Sequence, residues 1–185
     1  MDELMTRSER RSGRPWSVPL ALGDVPEAGR HIDLVADTKT RAVVAEHAGL
    51  AALPRLEASF DVAPHGRGGL RVIGRLSATV GQTCVVTLEA LENEIEEGVD
   101  LLFMPAEALP LVATAELETP ADAPEPLIGG AVDLGEIATE FLILSLDPYP
   151  RKANAVFQSS TVGKDSAHPF AALASLKKRQ PGEER

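Results

Sequence analysis

From Arg55 onward, apolar and polar residues alternate with a period of two. Leu56, Ala58, Phe60 and Val62 interleave with Arg55, Glu57, Ser59 and Asp61, the pattern of a half-buried strand. The glycine-rich His65-Gly66-Arg67-Gly68-Gly69 then predicts a turn, so the next strand pairs antiparallel. That strand places Leu70, Val72, Gly74, Leu76, Ala78 and Val80 on one face and Arg71, Arg75, Ser77 and Thr79 on the other. Two further strands are predicted over Thr83–Ala90 and Glu94–Phe103, with a turn at Leu91-Glu92-Asn93. In the last of these, Ile95, Val99, Leu101 and Phe103 oppose Glu94, Glu96, Gly98 and Asp100. Glu97 falls on the apolar side, either as a charged guard of a sheet edge or paired with a base such as Arg75. Upstream, Trp16–Leu20 and Arg30–Val35 read as short strands.

The period shifts to that of a helix twice. Asp37 or Thr38 caps a helix over residues 39–48, stopped by Gly49, with a modest apolar face at Val43, Val44 and Ala48. His47 near its end is a dipole-favoured rim residue rather than a ligand. The second helix opens at Asp133, with Glu136 placed to complete a capping box, and Pro148 stops it near Leu146. Ile137, Phe141 and Leu144 form its stripe, widened by Ala138 and Leu142. Together these elements predict an α+β fold: a mainly antiparallel sheet or open barrel of about five or six strands, with two helices.

Outside this body the patterning fades. Residues 1–15 are polar and Arg-rich, predicting a disordered tail. Residues 105–130 scatter Pro105, Pro110, Pro120, Pro124 and Pro126 among Ala and Glu, predicting a flexible loop inside a domain spanning residues 16–152. Residues 153–185 read as a mostly flexible basic tail. Phe170, Leu173 and Leu176 in it could form a short helix ending at Lys177 and Lys178, to dock on the body or fold on a partner.

Charge sharpens the picture. Residues 1–16 hold four Arg against three acids, and residues 151–185 hold seven Lys or Arg against three. Of the overall −10, the segment between therefore carries −15. Such a body repels bare phosphate and favours basic protein surfaces. RNA contact is expected only through the basic ends. An acidic surface kept for solubility stands as the alternative. No run approaches the roughly 20 apolar residues of a membrane span, and the N-terminus lacks the apolar core of a secretion signal. One cysteine fits a reducing compartment, so the expectation is a cytoplasmic protein.

Four segments carry a family resemblance. The helix with its exit, Asp133 to Lys152 ending in Leu146-Asp147-Pro148-Tyr149-Pro150-Arg151-Lys152, resembles the C-terminal signature of the YceD family of large ribosomal RNA subunit accumulation proteins. Gly81 to Glu89 resembles its central cysteine-bearing strand, Glu94 to Pro105 the strand that follows, and His168 to Lys177 its closing tail. The match runs from about residue 16 to 177. One departure matters. Many relatives carry Cys-x-x-Cys at the central strand, whereas here Cys84 is the only cysteine and Thr87 stands at the second position. His31, His47, His65 and His168 are scattered, so no metal and no cofactor are expected. Cys84 reads as a small buried residue on a strand; a reactive thiol would need a nearby cation or helix N-terminus.

The resemblance implies a non-catalytic ribosome-biogenesis factor supporting synthesis, processing or stability of large-subunit (23S) ribosomal RNA. The expected partner is that RNA or a pre-ribosomal particle, reached in one variant through a basic ribosomal protein; neither DNA nor a membrane is expected. Tyr149, Arg151 and Lys152, with Lys177 and Lys178, are the candidate contact residues, since a ring for stacking and cations for phosphate occur together. A Tyr149 ring packed on the domain edge is the plainer alternative. A structural adaptor without RNA contact would use the acidic surface of Glu94, Glu96 and Asp100. An enzyme would use Glu136 and Glu140, which share a helix face, but no His or Asp cluster and no nucleotide loop accompanies them.

Overall fold

The computed structural model describes residues 14–109 and 123–157. The chain divides into two units, Met1–Ala155 and Val156–Arg185, and only Val156 and Phe157 of the second are described. In chain order the first unit contains β1 (Pro19–Ala21), β2 (Arg30–Val35), α1 (Thr38–His47), β3 (Ala52–His65), β4 (Gly69–Thr83), β5 (Ala90–Met104), β6 (Glu125–Pro126), β7 (Ala131–Asp133) and α2 (Leu134–Leu144). Strands β2-β3-β4-β5-β6 form one open sheet, and β1 pairs with β7 in a separate two-stranded ribbon. The fold is α+β, as the patterning predicts, and the sheet does not close into a barrel.

The long β3–β4 hairpin follows from its turn. Gly66 and Gly68 adopt φ of 55° and 82°, values that an L side chain resists. Pairing then runs from His65↔Gly69 to Arg55↔Thr79, with a register irregularity between Ala52 and Arg55. Phe60 sits opposite Gly74, and a Cβ at Gly74 would run into the Ser59 carbonyl and the Phe60 ring. Gly74 thus leaves the space that lets Phe60 be fully buried. The inward residues of β3 and β4 join Val44 and Ala45 of α1 and Leu134, Ala138 and Leu142 of α2 in one apolar cluster.

Several local expectations shift. The strand expected over Trp16–Leu20 is shorter and starts later, as β1: Trp16 is buried in the core, and pairing begins at Pro19 opposite Asp133. The predicted strand over Thr83–Ala90 is absent. Instead β4 runs on to Thr83, residues 84–89 turn, and β5 starts at Ala90. Two backbone bonds close this turn, Leu88 N–H to Cys84 O and Cys84 N–H to Glu89 O, both 2.9 Å. These contacts override the strand preference of Val85 and Val86. Helix α2 ends at Leu144, capped by Ser145, and its buried face is centred on Leu134, Ala138 and Leu142. Phe141 is only partly buried and Leu144 is 73% exposed. Asp133 caps as expected, accepting from the N–H groups of Gly135 and Glu136 at 3.2 Å. Glu136 does not close a capping box: its carboxylate pairs with Arg14 at 3.0 Å. Glu97 is exposed on β5, which supports the edge reading over a pairing with Arg75.

Candidate functional site

The exit of α2 is laced to the turn between β4 and β5. Past Ser145, whose hydroxyl donates to the Phe141 carbonyl at 2.8 Å, Asp147 makes an Asx turn by accepting from Tyr149 N–H at 2.8 Å. The Asp147 carbonyl accepts from Gln82 Nε2 at 3.0 Å. Pro150 O accepts from Val85 N–H at 2.9 Å. Lys152 N–H donates to Cys84 Sγ at 3.3 Å, and Lys152 Nζ pairs with Glu89 at 3.1 Å. With Pro148 and Pro150 fixing two φ angles, this segment is a held ridge rather than a loose tail.

A groove of about 530 Å³ runs beside the ridge, lined by Leu50, Gln82, Val85, Leu146, Pro148 and Pro150 among others. Tyr149 is 69% exposed, so the reading of a ring packed on the domain edge does not hold. Arg151 is exposed and, among the described residues, makes no ion pair; Lys152 is tied to Glu89. Its ammonium is the first cause that holds the Glu89 carboxyl below its ordinary range. Val85 and Leu88, at 45% and 77% exposure, add an apolar rim, and Leu88 holds a φ of 60°. The structure therefore presents a ring and an exposed guanidinium on the ridge, with apolar neighbours on the adjoining turn. Lys177 and Lys178 lie outside the described residues, as does the Phe170–Leu176 patch.

Cys84 sits beneath this ridge, fully buried. Its Sγ accepts from Lys152 N–H and from Thr87 N–H at 3.4 Å. The bond from Lys152 first, then those from Thr87, pull the thiol down to about 6, against burial, which pushes it up. Sequence reasoning places Cys84 on a strand and finds no activating group near it. The missing donor comes from Lys152, 68 positions away, and no local signal announces it. Thr87, at the position of the relatives' second cysteine, contributes a backbone donor to the sulfur instead of a thiolate. Among the described residues no group of three or more His, Cys, Asp or Glu could hold a metal ion.

The acidic candidates are less free than their spacing suggests. Glu94 accepts from Arg55 at 2.6 Å and from Thr79 at 2.7 Å, and both bonds, Thr79 first, hold its carboxyl below the usual range. Asp100 accepts two bonds from Arg71, at 3.0 and 2.9 Å. Of the three acids only Glu96 makes no ion pair among the described residues. The two helix carboxylates are not a matched pair either, since Glu136 is bound to Arg14. No described helix is long and apolar enough to cross a membrane.

This geometry defines an α+β protein whose candidate site is an open, proline-stiffened surface ridge. The chain belongs to the YceD family: the family model described as "Large ribosomal RNA subunit accumulation protein YceD" matches residues 72–177, more than half of its length. The matched span includes β4 from Val72 onward, β5, α2 and the ridge. No curated protein and no solved structure matches.

Proposed function

We propose that this protein is a non-catalytic factor that supports accumulation of large-subunit ribosomal RNA by binding a pre-ribosomal particle through its ridge. The observation that carries this reading is the exposure of Tyr149 and Arg151 side by side on a segment locked to the β4–β5 turn. A rigid exposed ring can stack on an unpaired base, and a guanidinium can bridge phosphate oxygens or stack in turn. Lys152 acts mainly in holding the ridge, because both its N–H and its ammonium are engaged. The acidic body keeps RNA off the rest of the surface, which confines the contact to this end. The family description supports the RNA species.

The alternative dock, a basic protein lying on the face of Glu94, Glu96 and Asp100, is weakened by the internal pairing of Glu94 and Asp100. Sedimentation of cell extracts on a sucrose gradient tests the proposal. The wild-type protein is expected in fractions holding large-subunit precursors, and a Tyr149→Ala/Arg151→Ala variant is expected to move to the free-protein fractions. A folded variant that still cosediments fully with precursors would place the contact elsewhere.

A further inference from the structure

The outer edge of β5 is a second feature, independent of the ridge. β5 pairs with β4 along its whole length, from Ala90↔Thr83 to Phe103↔Leu70. On its other side, among the described residues, only Phe103 and Met104 are paired, in parallel with Glu125 and Pro126. Among the described residues the outward backbone groups of positions 90–102 therefore have no strand partner. That is an edge of about 40 Å at strand rise. A long unpaired edge is a ready template for another strand unless something guards it.

The side chains flanking this edge select what can lie there. On the face shared with the core, Leu91, Ile95 and Leu101 are only partly buried, so they offer apolar surface that a neighbour could cover, interrupted by exposed Glu97, which accepts from Ser145 Oγ at 3.3 Å. The opposite face presents Glu92, Glu94, Glu96 and Asp100, all exposed. The whole of β5 contains no Lys or Arg. A second copy of this edge would bring acids against acids, which is unfavourable across strands. The chain's own approach is also poorly suited. Residues continuing β6 upstream in parallel register would carry Pro124 and Pro120, which lack an N–H, together with Asp122, Glu118 and Glu116.

We propose that the edge of β5 between Leu91 and Leu102 takes up an extended peptide of another protein, with basic and apolar residues alternating, as an added strand. The apolar positions cover Leu91, Ile95 and Leu101, and the Lys or Arg positions meet Glu92 and Glu96, the two outer-face carboxylates not already held by Arg55 or Arg71 among the described residues. Main-chain bonds supply the affinity and the two faces supply the choice of partner. The acids that guard the edge against self-association thereby admit a partner of opposite charge.

The test uses the full chain, labelled with ¹⁵N, and a capped eight-residue peptide alternating lysine and valine. Binding is expected to shift and protect amides clustered within Leu91–Leu102. Methylating the peptide nitrogens on either edge in turn is expected to weaken binding by tenfold or more for the edge that meets β5 only, because those hydrogen bonds are lost. Glu92→Lys with Glu96→Lys is expected to weaken it about tenfold, through the loss and reversal of cross-strand charge pairs. Both are exposed, and neither belongs to the described ion pairs. Absence of binding at millimolar peptide would overturn the proposal. So would equal binding of both methylated peptides, equal binding of a glutamate–valine peptide, or shifts confined to other strands. Concentration-dependent shifts of β5 amides without peptide would show a second copy as occupant and also overturn it. A single-stranded RNA oligonucleotide that produced the β5 shifts in place of the peptide would do the same.

Discussion

Asp133→Ala should be the most destabilising change that leaves the apolar core untouched. Its Oδ1 accepts from Val18 N–H at 2.7 Å and from Gly135 and Glu136 N–H at 3.2 Å. Its Oδ2 accepts from Ser17 Oγ at 2.7 Å and from Arg14 at 3.0 Å. One nearly buried carboxylate thus caps α2 and ties the strand before it to the N-terminal segment. Loss of the cap alone costs about 1 kcal/mol, and each orphaned buried donor adds about 1 kcal/mol more. We expect about 3–4 kcal/mol for Asp133→Ala. Asp133→Asn should cost about half as much, because an amide oxygen can keep the cap while its NH₂ faces the Arg14 donor. Urea unfolding followed by circular dichroism reads this as a shift of midpoint at constant slope. The same hub gives a pH dependence. Burial raises the Asp133 carboxyl, but the bonds from Ser17, Val18 and Arg14 outweigh it, and the net direction is down. Its contribution is therefore full above the unfolded carboxyl pKa of about 4 and is lost as pH falls through the lower folded value. A midpoint for Asp133→Ala within 0.5 kcal/mol of wild type, a bound set at roughly the effect of a neutral surface change, would refute the hub.

Other changes follow from the packing. Leu142→Ala should cost about 2–5 kcal/mol and Leu144→Ala within about 0.5 kcal/mol, since the first is fully buried and the second 73% exposed; equal midpoints would misplace the helix face. Gly74→Ala should destabilise by about 1–3 kcal/mol by driving a methyl against the Ser59 carbonyl and the Phe60 ring, and a stabilised variant in thermal unfolding would contradict that. Cys84 should titrate in the folded protein at about 6, read as thiolate absorbance near 240 nm. Because its folded pKa is depressed, the stability it lends is full above the unfolded value of about 8.5 and is lost as pH falls through about 6; a gap between wild type and Cys84→Ser that widens on acidification would contradict the sign.

The strands of the main sheet are legible because their information is local: β3 and β4 alternate cleanly, and the glycines between them specify the hairpin. The caps at Asp37 and Asp133 are legible for the same reason. The face of helix α2 is legible at Ile137, Ala138 and Leu142, which are buried, and in part at Phe141, but not at Leu144, because Leu134, Ile137, Phe141, Leu142, Ile143 and Leu144 leave few polar positions to fix its edges. The buried side is chosen by what packs there, including the Trp16 backbone, whose carbonyl oxygen would lie 2.9 Å from a Cβ on Gly135. The turn at Cys84–Glu89 is masked in the sequence by three β-branched residues, Val85, Val86 and Thr87, and depends on an acceptor from Pro150 and a donor from Lys152. The pairing of Glu94 and Asp100 with arginines of β3 and β4 is likewise a property of register, which spacing within one strand does not reveal. Tyr149 and Arg151 could be singled out from composition alone, yet their rigidity comes from that same distant turn.

If the ridge at the end of α2 sustains large-subunit ribosomal RNA, that shows in the ratio of large- to small-subunit ribosomal RNA in cells that lack the protein and carry either the wild-type chain or Tyr149→Ala/Arg151→Ala. A lowered ratio is expected without the protein, with rescue by the wild type and no rescue by the variant although it folds with an unchanged urea midpoint. Full rescue by the folded variant, or an unchanged ratio when the protein is absent, would contradict that role of the ridge.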